Sequence, residues 1–464
     1  MYDVLVVGAG PTGLFMAIEL IRSGLTVRII DKALGISSKS KAIAIQARTL
    51  EIFDQIGIID PFLKKGLQLK ALNAISRQRL LSHIPLHHLD SPYPFVLSLP
   101  QYDTEIILAD YLYRLEVEIE RGVELISFEE KEDHVIAQLS TGQEEFSWMI
   151  ACDGAHSTTR KALGFSFEGK TFPKTFSLAD VEVEWNYPHD ELFLFLNEKS
   201  MLAAIPLPEP NRYRIIFQTE PTLEEVQKLL RQYASQEVKV TRPQWMIQFT
   251  INSRITEKYL SKRVFLSGDA AHIHSPAGGQ GMNTGFADAY NLAWKLAYVH
   301  QKKAKLGLLK TYDEERRRFG RKLLKATETA SNIAMLKNSL LVGLRNFLFS
   351  NLSKLDAFQK EITKMISQIG YHYKPNLIVG PEGGYRAPNA ETDSGKLYEF
   401  VRENRGFILI NNQEKLNIPN TFTLTHDGTV YNSEEIYVIR PDTIIGCINK
   451  DPQVIREYFS KFLL

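Results

Sequence analysis

Three stretches carry residue types whose spacing suits the holding of a cofactor. In the first, Gly8, Gly10 and Gly13 fill the pattern G-x-G-x-x-G, with Pro11 and Thr12 inside it and Asp31 further on. In that pattern the first glycine permits a tight turn, the second lets the backbone approach a pyrophosphate, and the third lets a helix pack on a strand. A helix N-terminus behind the turn offers free N–H groups to phosphate, and an acid at Asp31 suits a ribose hydroxyl. The second stretch runs from Cys152 to Arg160 and satisfies D-G-x-x-S-x-x-R through Asp153, Gly154, Ser157 and Arg160. The third is Gly268-Asp269, followed by the run Pro276, Ala277, Gly278, Gly279, Gln280, Gly281, Met282 and Asn283. Its glycines suit close backbone approach to a ligand. A helix starting near Gly281 would aim its positive end at that ligand, a dipole effect of roughly 0.3–2 kcal/mol. No Ser/His/Asp set or pair of acids stands out. His83, His87 and His88 with Asp90 match no recognised metal-ligand spacing and read as exposed strand histidines, so no metal is expected.

These residues need elements to position them. Val4 to Val7 is a short β-branched run, Leu14 to Ile21 is apolar at helical spacing, Ser23-Gly24 breaks the helix, and Val27 to Ile30 is a second strand. Together they form a βαβ unit that binds a dinucleotide. Trp148 to Cys152 and Arg263 to Ser267 read as buried strands leading into the second and third stretches. A strand ending in Gly-Asp presents its carboxylate at the carboxyl end of a sheet, where cofactors lie in α/β folds.

Around them, Arg48 to Leu63 reads as helical with a break at Gly57, Thr104 to Glu120 as a helix, and Val123 to Phe146 as hairpin strands. Phe176 to Ile251 turns to strands interrupted by one helix, Leu223 to Gln236. Such a block suggests a separate sheet whose pocket lies at a domain interface. Gly281 to His300 is helical. Leu308 to Ala330 is a long charged helix whose run Glu314 to Arg318 reads as a solvated face. Ile333 to Leu352 is apolar but carries Lys337 and Arg345, which fits an amphipathic helix packed on the protein better than a membrane span. The 464 residues suffice for two or three domains, and a net charge of +1 argues against nucleic-acid binding. Two cysteines, no CxxC and a first strand close behind Met1 suggest a cytoplasmic protein without a signal peptide.

With all three stretches in this order, the chain resembles the class A flavoprotein monooxygenases, the FAD-dependent aromatic hydroxylases of the p-hydroxybenzoate and phenol hydroxylase type. The resemblance spans essentially the whole chain. It implies an α/β fold: a Rossmann-like FAD-binding domain (1–70, 101–175 and 255–370), an inserted β-sheet substrate domain (71–100 and 176–254) and a small thioredoxin-like C-terminal domain (371–464). The tail resembles the polyketide and pentachlorophenol hydroxylase subgroup through Tyr385-Arg386-Ala387-Pro388 and Ile439-Arg440-Pro441-Asp442.

By resemblance, the cofactor residues are Gly8, Gly10, Pro11, Thr12, Gly13, Asp31, Lys32, Lys41, Arg48, Gln101, Asp153, Gly154, Arg160, Gly268, Asp269, Pro276, Gly279, Gly281, Met282 and Asn283. Asp269 is implied on the ribityl chain, Arg48 beside the ribityl chain or ring, and Arg160 near the phosphates and NAD(P)H. Lys41 stands where relatives carry arginine and loses the planar fork. Pro276, Gly279 and His274 are implied nearest the chemistry, while His272 reads as a structural hydrogen-bonding residue. Phe193, Phe195, Ile205, Pro206 and Phe217 are candidate pocket residues, and Arg214 reads as a sheet salt bridge. The implied reaction takes hydride from NADPH or NADH to FAD and adds dioxygen to form a flavin hydroperoxide. A phenolic or polycyclic aromatic substrate then attacks its distal oxygen. No W-x-W-x-I-P halogenase segment is present; epoxidase or dehydrogenase chemistry, and a non-catalytic flavin-binding role, are the alternatives. A homodimer is a further expectation.

Overall fold

The structure, a computed structural model, describes residues 2–37, 42–196, 201–275, 278–334, 336, 338–411, 416, 418, 421–426, 428 and 430–464. At its centre lies a five-stranded sheet in the order 264–266, 148–151, 4–7, 27–31, 119–121. Every neighbouring pair in it is parallel. Val4–Val7 and Trp148–Ala151 are buried along their whole length, as expected for parallel strands covered on both faces. The helices Pro11–Arg22, Gln101–Arg114 and Gly281–His300 cover one face, and a three-stranded antiparallel sheet, 125–130, 135–139 and 142–146, covers the other.

The expected Thr104–Glu120 helix is shifted. It starts at Gln101 and ends at Arg114, and Ile119–Arg121 becomes the edge strand. Glu116 takes φ +59, which stops the helix. Val117 and Ile119 then alternate with Glu118 and Glu120, a period of two that a helical reading runs over.

A second sheet has eight strands in the order 272–273, 239–256, 167–184, 212–217, 201–206, 191–196, 71–76, 79–85. The helix Leu223–Tyr233 covers one of its faces. Residues 67–99 therefore divide: 71–85 joins this sheet, while Val96–Ser98 lies between Leu67–Leu69 and Ala44–Ile45 and pairs with both in a small three-stranded sheet. His83, His87 and His88 are exposed on or just beyond the outermost strand, and no group of three His, Cys, Asp or Glu gathers as a metal site among the described residues. The tail forms a four-stranded mixed sheet, 421–424, 407–410, 436–439, 445–449, with helices Leu397–Glu403 and Pro452–Ser460. It packs Phe407, Ile378, Phe459 and Phe462 against Trp294 and Tyr298 of the Gly281–His300 helix.

Two helical expectations are overturned. The run Glu314 to Arg318 is not a solvated face: a π turn at Asp313–Arg317 carries Glu315 and Arg316 inward until each is 2% exposed. Glu315 meets Lys295 at 2.8 Å and Arg440 at 2.7 Å, partners that lie on distant elements and leave no mark in the local charge pattern. The second case is the helix Ser339–Leu352, which buries Arg345 and turns Leu340, Leu344 and Phe347 outward. Among the described residues no helix is long and apolar enough to cross a membrane.

Candidate functional site

The glycine turn lies between the ends of two parallel strands. Gly8 takes φ +103, and a Cβ there would stand 2.4 Å from the Cys152 carbonyl oxygen. A Cβ on Gly13 would stand 1.8 Å from the Gly8 carbonyl oxygen, so the helix packs directly on the turn. Gly10 faces open space, with nothing within 4 Å of a Cβ position. Pro11 opens the helix, and no side chain caps its N-terminus. Its first N–H groups are thus left for an anion.

Asp31 ends the second strand. Its Oδ2 accepts from the Ala9 N–H at 2.7 Å and its Oδ1 from the Ala33 N–H at 2.8 Å. The Arg121 guanidinium stands 3.5 Å away. Thr12 turns its side chain into the protein. Its hydroxyl oxygen lies 2.6 Å from a Cβ position on Gly268 and 2.1 Å from one on Gly285, so it wedges the Pro11–Arg22 helix against two other elements. Lys32 is exposed and 3.9 Å from Glu124. Gln101 begins its helix, with its N–H on the Ala42 carbonyl and its side chain donating to Glu105 at 2.7 Å. Lys41 lies outside the described residues.

The second stretch splits in role. Asp153 Oδ2 accepts from the Thr159 N–H and hydroxyl, both at 3.2 Å, while its Oδ1 is buried with no partner among the described residues. Gly154, at φ +78, borders open space. Arg160 is buried rather than a surface ion pair. It donates to the carbonyls of Ala270 at 2.7 Å and Ala155 at 3.0 Å, and stacks 3.8 Å over Phe167. It is 4% exposed, and burial lowers its pKa. Its side chain joins the second stretch to the Gly268–Ala270 turn, a contact invisible in local spacing.

That turn follows the buried strand Val264–Leu266 and presents Asp269 on the exposed side. The Gly268 N–H donates to Asp288 Oδ2 at 3.1 Å. Asp288 also bonds His272 at 2.7 Å and Arg316 at 2.6 Å. Burial pushes its carboxyl up, but Arg316 and His272 outweigh that and hold it below its usual range. The structural reading of His272 thus agrees with the geometry. His274 stacks on His272 at 5.3 Å and 11°, and its Nε2 is buried without a partner. Burial, then the neighbouring His272, lowers its pKa to about 3. The neutral ring holds no proton to give near neutral pH.

The glycine-rich loop is clamped rather than free. Asn283 Oδ1 accepts from the Gln46 N–H at 2.8 Å, and Asn283 Nδ2 donates to the carbonyls of Ala44 and Gly279, each at 2.8 Å. Gln46 Nε2 donates to the Gly278 carbonyl at 2.8 Å. A Cβ on Gly279 would stand 2.6 Å from the Ala44 Cβ. The Asn283 side chain is therefore fully used as a positioning clamp. Gly281 opens its helix, and a Cβ there would stand 3.8 Å from the His274 ring; Met282 is 9% exposed, and Gln280 at the N-cap makes no capping bond. Pro276 lies outside the described residues.

Arg48 is 7% exposed. Its guanidinium donates to Glu51 at 3.1 Å, the Asp442 carbonyl at 3.1 Å and the Thr443 hydroxyl at 2.8 Å, tying its helix to the C-terminal segment. Among the pocket candidates, Phe193, Phe195 and Phe217 pack with Val226, Leu229 and Leu230 under the Leu223–Tyr233 helix. They are core residues on the face away from the loop. Strand alternation puts Ile205 on the other face, in one apolar cluster with Ala44, Ala47 and Leu192. Pro206 is buried, and its carbonyl accepts from Ser98. Arg214 forms a bidentate pair with Asp180 at 2.7 and 2.8 Å, as the salt-bridge reading expects.

Sequence reasoning missed Gln46, Arg121, Asp288 and Arg316. A signal existed for Asp288: Thr284, Asp288, Asn291 and Lys295 recur at helical spacing inside an apolar helix, and all are buried. Such a stripe demands buried partners. Gln46 and Arg121 carry no such mark.

The open face at Gly10, the uncapped helix ends and the unpartnered Asp153 Oδ1 leave donors, acceptors and space where the two phosphates and sugar of FAD need them. The FAD binding domain family profile matches residues 1–327. A rifampicin monooxygenase of Streptomyces venezuelae is 32% identical over 98% of this chain and 97% of its own length. Pentachlorophenol 4-monooxygenase of Sphingobium chlorophenolicum is 30% identical over 88% of this chain and 79% of its own. The structure of OxyS anhydrotetracycline hydroxylase from Streptomyces rimosus superposes with a TM-score of 0.81 at 27% identity, covering 99% of both chains. Cofactor cradle, architecture and relatives converge: the chain belongs to the FAD-dependent aromatic monooxygenases.

Proposed function

We propose that this monooxygenase hydroxylates a phenolic or polycyclic aromatic substrate at the expense of NADPH or NADH and dioxygen. FAD, when bound, supplies the hydride acceptance and oxygen activation; the chain's own residues bind, orient and exclude water. The Gly10 turn and the Pro11–Arg22 helix N-terminus hold the diphosphate, Asp31 the adenosine ribose and Asp269 the ribityl chain. Asn283 and Gln46 fix the 278–283 loop. The N-terminus of the Gly281–His300 helix stabilises negative charge beside it. Neutral His274 acts as a packing wall rather than a proton carrier.

The observation that carries the substrate reading is the junction where Ala44 and Ala47 meet Leu192 and Ile205 of the eight-stranded sheet. It is apolar, lies beside the clamped loop and suits a flat aromatic ring. The domain division proposed from the sequence follows the same logic, with the eight-stranded sheet as the substrate wall. The thioredoxin-like reading of the tail rests on its mixed four-stranded sheet and two helices. Its Cys447 is solitary and 6% exposed, so this unit serves as packing rather than dithiol chemistry.

The test is purification, identification of the bound flavin, and NADPH and NADH oxidation screened over phenols and polycyclic aromatics with product identification. The expected result is a yellow protein that releases FAD and forms a hydroxylated product in step with NAD(P)H consumed. Peroxide formation without any hydroxylated product would overturn the substrate reading. Colourless protein that takes up no FAD would overturn the site assignment.

A further inference from the structure

The helix Ser339–Leu352 is turned the wrong way for a helix of a globular core. It buries Arg345, 4% exposed, which donates to the carbonyls of Ile333 at 3.3 Å and Ala334 at 3.0 Å. Asn346 reaches the edge of the eight-stranded sheet through the Ser76 hydroxyl at 3.2 Å. Outward point Leu340, Leu341, Leu344, Phe347, Leu348 and Leu352, with exposures of 82, 47, 53, 64, 42 and 37%. Their spacing places them on one helical face, which Leu355, 55% exposed, continues. Contiguous apolar surface of this kind marks a contact site.

The charge around the helix says which contact. From Arg318 to Lys364 the chain has nine Lys and Arg against three Asp and Glu, a net +6 within a protein of net +1. Arg321, Lys325, Lys354 and Lys360 are exposed. A second copy on a two-fold axis would set one +6 segment against another, a repulsive pairing. A negatively charged surface with an apolar layer beneath it satisfies both features. The helix is a single ridge rather than a groove, which suits the plane of a bilayer, and among the described residues no helix is apolar enough to cross one.

We propose that the outward face of the Ser339–Leu352 helix docks the enzyme on an anionic lipid bilayer. The Leu and Phe side chains enter the interfacial zone, and Lys354 and Lys360 meet the headgroups.

The test uses the FAD-loaded full-length protein in co-sedimentation with phosphatidylcholine vesicles, with and without phosphatidylglycerol. The protein is expected to sediment with the anionic vesicles, and less so as salt rises. Leu344→Gln/Phe347→Gln/Leu348→Gln is expected to weaken that binding by at least about tenfold. Lys354→Glu/Lys360→Glu should weaken it too, and both variants should keep the flavin absorbance and the NAD(P)H oxidation of the free enzyme. Should the triple variant lose its flavin, Phe347→Gln alone gives the same comparison at the side chain 64% exposed. The proposal fails if the wild type ignores anionic vesicles or if the variants bind as well as it does. It also fails if light scattering shows a dimer that the apolar substitutions dissolve, since a second copy is then the occupant.

Discussion

Two side chains near the cofactor cradle behave in opposite ways. Asp31 spends one carboxylate oxygen on the Ala9 N–H of the glycine turn, at 2.7 Å, and the other on the Ala33 N–H, at 2.8 Å, so it shapes the turn as well as serving the proposed ribose contact. Asp31→Asn keeps the size and removes the charge, and charge-assisted hydrogen bonds contribute about 1.5–3 kcal/mol. FAD affinity, measured by fluorescence on reconstituting apoprotein, is therefore expected to fall roughly ten- to hundredfold. His274, by contrast, stays neutral in the folded protein down to about pH 3. The unfolded chain takes up that proton below about pH 6.5, so it binds more protons than the native state between these values. Stability is fully present above pH 6.5 and falls as pH drops toward 3. Urea unfolding at pH 7 and pH 5 should show this loss, and His274→Gln should flatten it.

At the scale of elements, the Gly281–His300 helix is the main conveyor of order. One end meets the clamped glycine loop; its middle presents Asp288, Asn291 and Lys295 to the π turn at Asp313–Arg317. Burial pulls Lys295 down to about 8 despite Glu315, 2.8 Å away. Glu315 faces both Lys295 and Arg440, which hold its carboxyl below its usual range although burial opposes them. Glu315→Gln takes its carboxylate partner from buried Lys295, while Arg440 keeps Asp442, a loss of about 3–5 kcal/mol. It should lower the melting temperature and make the C-terminal segment an early target of limited proteolysis. The two faces of the eight-stranded sheet make a second contrast. Phe217→Ala empties the core under the Leu223–Tyr233 helix and costs about 3–5 kcal/mol of stability, with turnover per folded molecule kept. Ile205→Ala lies on the loop-facing side and should change KM or the ratio of product to NAD(P)H consumed, at little cost in melting temperature.

At the scale of the whole molecule, the C-terminal segment is part of the core rather than an appendage. Arg440 and Asp442, 0 and 2% exposed, complete the buried ion cluster, and Arg386 reaches Glu51 at 3.0 Å. Phe407 and Phe459 pack with Trp294 and Tyr298. A chain ended after residue 370 would leave Arg48, Glu51 and Glu315 without these partners. Such a chain is expected to be insoluble or to melt far below the full-length protein, measured by soluble yield and thermal unfolding. A truncated protein with unchanged melting temperature and flavin content would refute this integration.

The βαβ unit, the glycine positions and Asp31 were legible in the sequence because they are local. Strand, turn and helix follow within some thirty residues, and each glycine answers a steric demand of that same turn. The parallel strands at 148–151 and 264–266 and the start of the helix at Gly281 were legible for the same reason. The burial of Glu315, the core packing of the three phenylalanines and the intramolecular partners of Arg48 and Arg160 were not legible there. The type of each residue allowed two roles, and the choice rested on elements far along the chain: Thr443 for Arg48, Ala270 for Arg160, Arg440 for Glu315 and the Leu223–Tyr233 helix for the aromatics. Local propensity and spacing determine where elements begin and which faces they offer. Which buried charge meets which, and which sheet face meets the cofactor loop, is decided only when desolvation forces each buried polar group to find a partner.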